Sequence, residues 1–291
     1  GPTAAGKTAL GIELAKALNG EIISADSMQV YRGMDIGTAK PTVEERQGIT
    51  NHLIDIKNPD ETWTVSDFIE EAQNSKIKAQ NKGRIPIMVG GTGLYINAWL
   101  NGFSFPAATE DKELRERLEK LPTSTLHAQL STIDPVAAAK IHPNNKKRLI
   151  RALEVYELTG KPISELQGLG TRDHGLGKNI LIGLNLPREI LYQRINQRVD
   201  DMINKGLIEE IEGLLKQGYN RQMRSMQALG YKEVIDYLAG KWTKEEMIIE
   251  LKKRTRHFAR RQLTWFRQFK EVKWFEPQVD FSSILSYINN I

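Results

Sequence analysis

The sequence predicts an α/β fold in which helices flank a parallel sheet and a helical insertion interrupts the chain. Three observations predict this fold. A glycine-rich loop at residues 1–8 leads into a helical pattern, β-rich runs alternate with helices up to residue 102, and only helical patterns follow as far as residue 178. Strands that alternate with helices are typical of a parallel sheet covered on both faces.

The first segment, "GPTAAGKT", has the pattern G-x-x-x-x-G-K-[ST], filled by Gly1, Gly6, Lys7 and Thr8. In such a loop the backbone N–H groups face phosphate oxygens, the lysine meets the outer phosphates and the hydroxyl residue meets Mg²⁺. The good helix formers of residues 9–18 place the loop at a positive helix N-terminus. The loop predicts a P-loop NTPase-like core that binds phosphate. It does not specify ATP, and an ordinary glycine turn before a helix is the alternative.

Two strand patterns follow the loop. "EIISAD", residues 21–26, is β-rich and ends in an acidic residue, and "RIPIMVGG", residues 84–91, reads as a buried strand followed by two glycines. Between them, residues 65–83 have the spacing of an amphipathic helix, and residues 93–102 indicate a short buried helix. Because a hydrophobic strand usually precedes such a phosphate loop, we expect a further short strand before residue 1.

Helical patterns alone occupy the next part of the chain, including "DKELRERLEKL", "DPVAAAKI" and "NNKKRLIRALEVYELTG". A Gly-rich polar linker at residues 168–178 closes it, and "NILIGLNLP", residues 179–187, predicts a strand that returns to the sheet. The remainder is mostly helical up to Phe269, with a possible strand at residues 272–275. We therefore predict an α/β core of residues 1–106 and 179–291, helical in its C-terminal part, and a helical insertion domain of residues 107–178.

Composition limits the possible chemistry and location. The 291 residues are 40% apolar and include no cysteine, which excludes disulfides, thiolate metal sites and a cysteine nucleophile. No run of 18 apolar residues is present, so we expect no transmembrane helix. These features are typical of a cytoplasmic protein.

Basic residues are concentrated near the C-terminus, where residues 221–270 hold 13 Lys and Arg against 5 Asp and Glu. A basic segment on a near-neutral body predicts a polyanionic partner, although a solvated helix face is the alternative. Within "KKRTRHFARRQLTWFRQF", residues 252–269, the aromatic side chains recur at roughly helical spacing and are expected in the core. These aromatics are Phe258, Trp265 and Phe269, preceded by Leu251. A second basic cluster is "KKRLIRA", residues 146–152.

Polar residues follow the predicted strands at the sheet edge where ligands of parallel sheets bind. Asp26 ends the first strand, and it could cap a helix together with Gln29, bind Mg²⁺ or act as a general base; the local pattern does not choose among these. Gly90 and Gly91 allow close backbone approach to a ligand or simply end the strand. Thr92 is a hydrogen-bond donor or a helix N-cap.

Arg194 and Arg198 lie four residues apart on one predicted helix face. Arg198 could form an ordinary surface pair with Asp201 at i,i+3. Alternatively, its guanidinium could reach the phosphate site and stabilise a departing phosphate.

Several motifs together resemble the tRNA dimethylallyltransferase family, the bacterial isopentenyl-tRNA transferases. They are "GPTAAGKT", "SADSMQVYRGMDIGTAKP", "GGTGLYI", "RLIRALEVYELTGKP", "RVDDMINKGLIEE", "QALGYKE" and "RRQLTWFR", and the resemblance runs from Gly1 to about Phe269. It implies transfer of a dimethylallyl group from dimethylallyl diphosphate to the N6 amine of the adenosine 3′-adjacent to the anticodon of tRNA. The phosphate loop would then hold the pyrophosphate of the prenyl donor rather than ATP.

The resemblance also implies roles for individual residues, with a base flipped out of the anticodon loop into a pocket. Asp26 would be the base, Thr92 would lie near the bridging oxygen and Arg198 would contact the pyrophosphate. The implied pyrophosphate loop comprises Gly1, Thr3, Ala4, Ala5, Gly6, Lys7 and Thr8, with Thr8 also on Mg²⁺. The implied tRNA contacts are Asp26, Ser27, Met28, Gln29, Thr92, Arg115, Lys147, Arg148, Leu149, Ile150, Arg151, Gln227, Gly230 and Lys232. The implied partner is the tRNA anticodon stem-loop, and we expect a monomer that does not bind membranes.

Three other functions are compatible with a phosphate loop. A P-loop kinase for a small molecule would need ATP and has no obvious use for the basic C-terminal helix. An adenylate prenyltransferase would use a free nucleotide, which the helical insertion and the basic segment argue against. An RNA-binding NTPase switch would transfer no group at all.

Overall fold

A computed structural model describes residues 1–103, 111–168, 179–276 and 281–291. The chain divides into two compact units, Gly1–Ile96 with Lys178–Ile291, and Asn97–Gly177. The first boundary therefore falls before the predicted one at residues 106 and 107, and the second lies next to the prediction. Most of the predicted Gly-rich linker lies outside the described residues. In the described ranges no helix is both long enough and apolar enough to span a bilayer.

The first unit begins with alternating helices and strands. In chain order these are α1 (Lys7–Ala17), β1 (Gly20–Ala25), α2 (Val43–Arg46), β2 (Asn51–His52), α3 (Val65–Asn81), β3 (Ile85–Gly90) and α4 (Gly93–Leu100). The predictions from the sequence are confirmed for α1, β1, α3, β3 and α4. The two-residue strand β2 and the one-turn helix α2 were not predicted, because neither is long enough to show a periodic pattern.

The three strands form a parallel sheet in the order β2-β1-β3, with Ile22 paired to Asn51 on one side and to Ile87 on the other. All six residues of the central strand β1 are buried, as expected for a parallel sheet covered by helices. Ile12 and Ala15 of α1 pack against this sheet, and α3 also lies along β1 and β3. The fold is therefore an α/β fold with a parallel sheet flanked by helices, as predicted.

The second unit contains the helices α5 (Lys112–Glu119), α6 (Thr123–Ile133), α7 (Pro135–Lys140), α8 (Lys146–Thr159) and α9 (Ile163–Gly168). Asp111, Asp134 and Asn145 cap α5, α7 and α8 by accepting backbone N–H bonds. Leucines spaced four residues apart on α5, α6 and α8 form a hydrophobic core of their own. This core supports the prediction that the middle of the chain is helical.

The chain then continues with β4 (Ile182–Leu184), α10 (Arg188–Asn204), α11 (Leu207–Lys216), α12 (Tyr231–Leu238), α13 (Lys244–Phe266), β5 (Lys273–Phe275) and α14 (Phe281–Asn289). The predicted strand at 179–187 exists, but the expectation that it joins the three-stranded sheet was wrong. It pairs in parallel with β5 instead. Gly1 lies against both Leu184 of β4 and Gly91 beyond β3.

Helix α13 buries one face and exposes the other. Its buried residues are Met247, Leu251, Thr255, Ala259, Gln262 and Phe266. The prediction that Phe258 belongs to the core was wrong, because it lies at the edge of this face and its side chain is 36% exposed beneath the guanidinium of Arg261. Trp265 and Phe269 are half-buried. The basic residues Lys253, Arg260 and Arg261 are exposed, as the amphipathic pattern predicts.

Candidate active site

The glycine-rich loop adopts a shape suited to an anion. Ala4 and Gly6 both have left-handed backbone conformations, with φ of 63° and 92°, and α1 begins at Lys7. Alternating left-handed residues turn successive N–H groups toward one side and form an anion-binding concavity. The positive φ of Ala4 is unfavourable for a residue with a Cβ, and such strain concentrates at functional sites. The loop thus has the form that its sequence predicts for phosphate binding.

Asp26 and Arg198 both interact electrostatically with Lys7 of this loop. Partial burial lowers the pKa of Lys7 to about 8, the Asp26 carboxylate opposes this shift and the Arg198 guanidinium adds to it. The Lys7 Nζ donates to the carbonyl oxygen of Pro2 at 2.6 Å, which points the ammonium back along the loop. A basic group that is held in a partly desolvated loop is suited to bind an anion.

Arg198 reaches the loop from α10. Its Nη1 donates to Thr3 Oγ1 at 3.3 Å, and burial lowers its pKa. The Asp201 carboxylate attracts Arg198 electrostatically and accepts a hydrogen bond from Gln197 at 2.8 Å, but no ion pair between Arg198 and Asp201 forms among the described residues. Arg194, one turn earlier, is exposed.

Asp26 follows the end of β1. Its Oδ1 accepts from the backbone N–H groups of Met28, at 2.9 Å, and Gln29, at 3.3 Å, which forms a local turn. The next helix begins only at Val43, so Asp26 does not cap a helix. Burial raises its pKa, although the two N–H bonds and Lys7 oppose the shift. Within the described ranges no side chain donates to Oδ2, which leaves this oxygen available for a proton.

Thr92 joins the ends of two strands. Its Oγ1 accepts from Ser27 N–H at 3.2 Å, and its own N–H donates to Ala25 O at 3.2 Å. Gly90 makes this approach possible, because a Cβ there would lie 2.2 Å from the Ala25 carbonyl oxygen. The hydroxyl of Thr92 is therefore held beside the Asp26 turn, and sequence reasoning placed both residues correctly at this sheet edge.

Gln262 is a site residue that sequence reasoning missed. It lies on the buried face of α13, where its Oε1 accepts from Thr3 N–H at 2.8 Å and its Nε2 donates to Gly91 O at 2.9 Å. The only signal in the sequence was a polar residue on an otherwise apolar helix face. That signal does not reveal which loops the side chain contacts.

Glu210 and Tyr231 were also missed. The Glu210 carboxylate accepts from three consecutive backbone N–H groups, those of Asp35, Ile36 and Gly37, at 2.9, 2.7 and 3.2 Å. The Tyr231 hydroxyl donates to the same carboxylate at 2.6 Å, and burial together with this contact raises the Tyr231 pKa. These bonds hold the segment that follows the Asp26 turn.

The tRNA contacts implied for this unit differ in accessibility. Ser27 and Met28 are half-buried, and Gln227 is exposed. The Gln29 side chain is already used, because its Oε1 accepts from Ser24 and its Nε2 lies 3.4 and 3.3 Å from two backbone carbonyl oxygens. Gly230 has a φ of 99° and is buried, and Lys232 lies 3.8 Å from the buried Glu233.

The implied contacts in the second unit divide into three groups. Arg115 and Arg151 both bond to the fully buried Glu154 carboxylate, Arg115 through two nitrogens at 2.7 and 2.9 Å and Arg151 at 2.7 Å. Lys147 and Arg148 are exposed on α8. Leu149 and Ile150 lie in the hydrophobic core, so their side chains are not available to a ligand.

No cluster of three or more His, Cys, Asp or Glu side chains suitable for a metal occurs among the described residues. The predicted Mg²⁺ ligand Thr8 lies in the first turn of α1 with an exposed side chain. Mg²⁺ commonly keeps several waters and binds through one or two protein groups plus substrate phosphates. The single hydroxyl beside the phosphate loop fits that mode and does not form a protein-only metal site.

The family model for IPP transferase matches residues 29–269. This chain belongs to the IPP transferase family. Within the family, it is 50% identical over 279 residues to the tRNA dimethylallyltransferase of Pelotomaculum thermopropionicum, with 95% of this chain and 88% of the relative covered. It is 49% identical to that of Halalkalibacterium halodurans, with 100% and 94% covered.

Solved structures of IPP transferase relatives agree with this membership. The full-length tRNA isopentenylpyrophosphate transferase from Bacillus halodurans superposes with a TM-score of 0.73 at 48% identity, and the match covers 100% of this chain and 92% of the other. A eukaryotic dimethylallyltransferase acting on tRNA superposes with a TM-score of 0.84 at 30% identity, covering 100% and 78%. The resemblance seen in the sequence motifs is thereby confirmed.

Proposed function

We propose that this protein transfers a dimethylallyl group from dimethylallyl diphosphate to the N6 amine of the adenosine 3′-adjacent to the anticodon in tRNA, releasing pyrophosphate. The observation that carries the proposal is the Asp26 carboxylate, whose Oδ2 receives no hydrogen bond from the described residues and which interacts electrostatically with Lys7 of the phosphate loop. Relatives that are about half identical over nearly the whole chain are tRNA dimethylallyltransferases, which supports the same reaction.

Asp26 acts on the nucleophile. The lone pair of an adenine amine is delocalised into the ring, so the amine is a weak nucleophile until a base removes a proton as the C–N bond forms. The Met28 and Gln29 N–H groups orient Oδ1, and Oδ2 accepts the proton. The adenine is stacked inside the anticodon loop, so the nucleotide must flip out before its amine reaches the Asp26 carboxylate.

The phosphate loop acts on the leaving group. Negative charge develops on the pyrophosphate as the bond to the dimethylallyl carbon breaks, and preorganised donors stabilise that charge. The loop N–H groups, Lys7 and Arg198 supply these donors, and the Thr92 hydroxyl supports the bridging oxygen. The side chain of Thr8 would hold Mg²⁺, which would neutralise charge on the diphosphate oxygens.

We further propose that the α/β unit has a P-loop-like core and that the helical insertion contacts the tRNA. The exposed Lys147 and Arg148 support the second part, because phosphate contacts require accessible cations. We also propose that the enzyme is monomeric and cytoplasmic. This proposal is checked by size-exclusion chromatography with light scattering and by cell fractionation.

One assay separates this function from its alternatives. The protein is incubated with labelled dimethylallyl diphosphate and unmodified tRNA, with and without ATP, and in parallel with adenosine monophosphate as acceptor. Label that enters tRNA without ATP supports the proposal. Label that enters only the free nucleotide identifies an adenylate prenyltransferase, and ATP turnover without label transfer identifies a kinase or an NTPase switch.

A further inference from the structure

We infer that Gln262 is a positioning residue that sets the spacing between the phosphate loop and the loop that carries Thr92. The inference rests on the proposed function, since it assigns the pyrophosphate to the first loop and the bridging oxygen to the second. In this role Gln262 acts through the two loops that it contacts.

The geometry of the two hydrogen bonds carries this inference. One amide group spans both loops, with Oε1 accepting from Thr3 N–H at 2.8 Å and Nε2 donating to Gly91 O at 2.9 Å. Thr3 belongs to the loop that binds the pyrophosphate, and Gly91 immediately precedes Thr92. A planar amide with one acceptor and one donor holds these two backbone groups at a separation that the length of the side chain determines.

The surroundings leave Gln262 little freedom. The residue is 8% exposed, and a Cβ on Gly91 would lie 2.4 Å from Nε2, so the loop approaches the amide as closely as a glycine permits. Arg198 holds the hydroxyl of the same Thr3 at 3.3 Å from α10. Thr3 is therefore held from two helices, and among the side-chain hydrogen bonds of the described residues only those of Gln262 link Thr3 to Gly91.

A displacement of either loop changes the reaction more than it changes tRNA binding. Catalysis depends on the relative position of the leaving pyrophosphate and the groups around the reacting carbon, and a shift of about 1 Å can cost about 10²-fold in rate. Apart from Thr92 and the neighbouring Asp26 turn, the implied tRNA contacts belong to other segments of the chain, so most of the tRNA affinity should remain. We therefore expect the loss of the two Gln262 hydrogen bonds to lower kcat and to raise the KM for dimethylallyl diphosphate, with little change in the KM for tRNA.

Two variants and one control test the inference. Gln262→Met keeps the length of the side chain and removes both hydrogen bonds. Gln262→Glu keeps the acceptor, but its ionised form presents a second acceptor to the Gly91 carbonyl. Thr255→Val is the matched control, because Thr255 is buried on the same helix face and its hydroxyl donates only to Leu251 O within α13, at 2.7 Å.

In the steady-state transfer assay we expect Gln262→Met to lower kcat/KM for dimethylallyl diphosphate by about 10- to 100-fold relative to Thr255→Val. We expect the KM for tRNA to stay within about twofold. For Gln262→Glu, the rate relative to the native protein at each pH rises as pH falls, because the protonated carboxyl regains an O–H donor for Gly91 O. Burial raises the pKa of the introduced carboxyl toward the working range of the assay.

A Gln262→Met rate within about twofold of Thr255→Val, or a pH-independent rate ratio for Gln262→Glu, overturns the inference. If Gln262→Met fails to fold, the pH ratio of Gln262→Glu decides alone. Failure of the proposed function is a separate result, since the native protein itself would then transfer no label from dimethylallyl diphosphate to tRNA.

Discussion

Partial burial of Asp26 and Lys7 favours the neutral form of each side chain. The pKa of Asp26 is raised and that of Lys7 is lowered, because desolvation exceeds the effect of their mutual attraction. A carboxylate with a raised pKa is a stronger base, and an ammonium with a lowered pKa loses its charge within an accessible pH range. The two residues therefore support separate predictions about base catalysis and anion binding.

Asp26→Asn is predicted to lower kcat by about 10²- to 10⁴-fold, because the amide still accepts from the Met28 N–H but no longer takes a proton. Binding of dimethylallyl diphosphate is expected to persist, since Asp26 does not belong to the phosphate loop. Single-turnover transfer assays measure the first effect, and calorimetric titration with the diphosphate measures the second. Turnover near the native rate would rule out Asp26 as the base.

The affinity for the diphosphate is predicted to fall as pH rises above about 8. Only the protonated form of Lys7 attracts the anion, so binding is fully supported below its pKa and weakens above it. In the pH profile of kcat/KM this produces an alkaline limb, with an acid limb from protonation of Asp26. Lys7→Arg keeps its charge at high pH and should remove the alkaline limb. If that limb survives in Lys7→Arg, another group is responsible for it.

At the scale of elements, long-range side-chain bonds hold segments that have no regular structure of their own. Glu210 of α11 receives three N–H bonds from residues 35–37, and Tyr231 of α12 packs against Gly37 and bonds to the same carboxylate. Charge-assisted bonds of this kind are stronger than neutral ones. They fix the segment between the Asp26 turn and α2, which local sequence preferences alone would leave as a loop.

Gly37→Ala is predicted to lower the free energy of unfolding by about 1–3 kcal/mol, because the added Cβ would lie 2.4 Å from the ring of the buried Tyr231. Gly213→Ala in α11 is the matched control. Its Cβ meets nothing within 4 Å, and replacing glycine inside a helix should stabilise by about 0.5–1 kcal/mol. Urea denaturation of both variants measures the difference. Equal free energies of unfolding for the two variants would show that the Gly37 segment moves to accommodate the added Cβ without loss of stability.

At the scale of the whole molecule, charge is arranged in two ways. Some predicted tRNA contacts are bound internally, as Arg115 and Arg151 are by Glu154, whereas Lys147 and Arg148 are exposed. Sequence reasoning placed Lys147, Arg148 and Arg151 in one basic cluster, since a charge run does not reveal which members pair with a buried acid. Only the exposed pair is expected to supply salt-sensitive phosphate contacts.

Reversing the charge at Lys147 and Arg148 together is predicted to weaken tRNA binding most at low salt, and to reduce the slope of log K against log salt by about one per lost phosphate contact. Lys205→Glu with Lys216→Glu gives the same change in net charge at exposed positions of the other unit and serves as the control. Filter binding across a salt series measures both. Equal affinities for the two double variants would show that α8 does not contact tRNA.

The sequence by itself predicted the phosphate loop, β1, β3, the amphipathic helices and the positions of Asp26 and Thr92 at the ends of the strands. These features depend on local spacing, on the residue types that a turn or helix requires, and on the rule that parallel strand ends share one edge. Only the tertiary structure decided that β4 pairs with β5, that Phe258 is exposed and that Gln262, Glu210 and Tyr231 join distant segments. Such contacts depend on which segments meet after folding, and no local pattern encodes the residue on the opposite side of a contact.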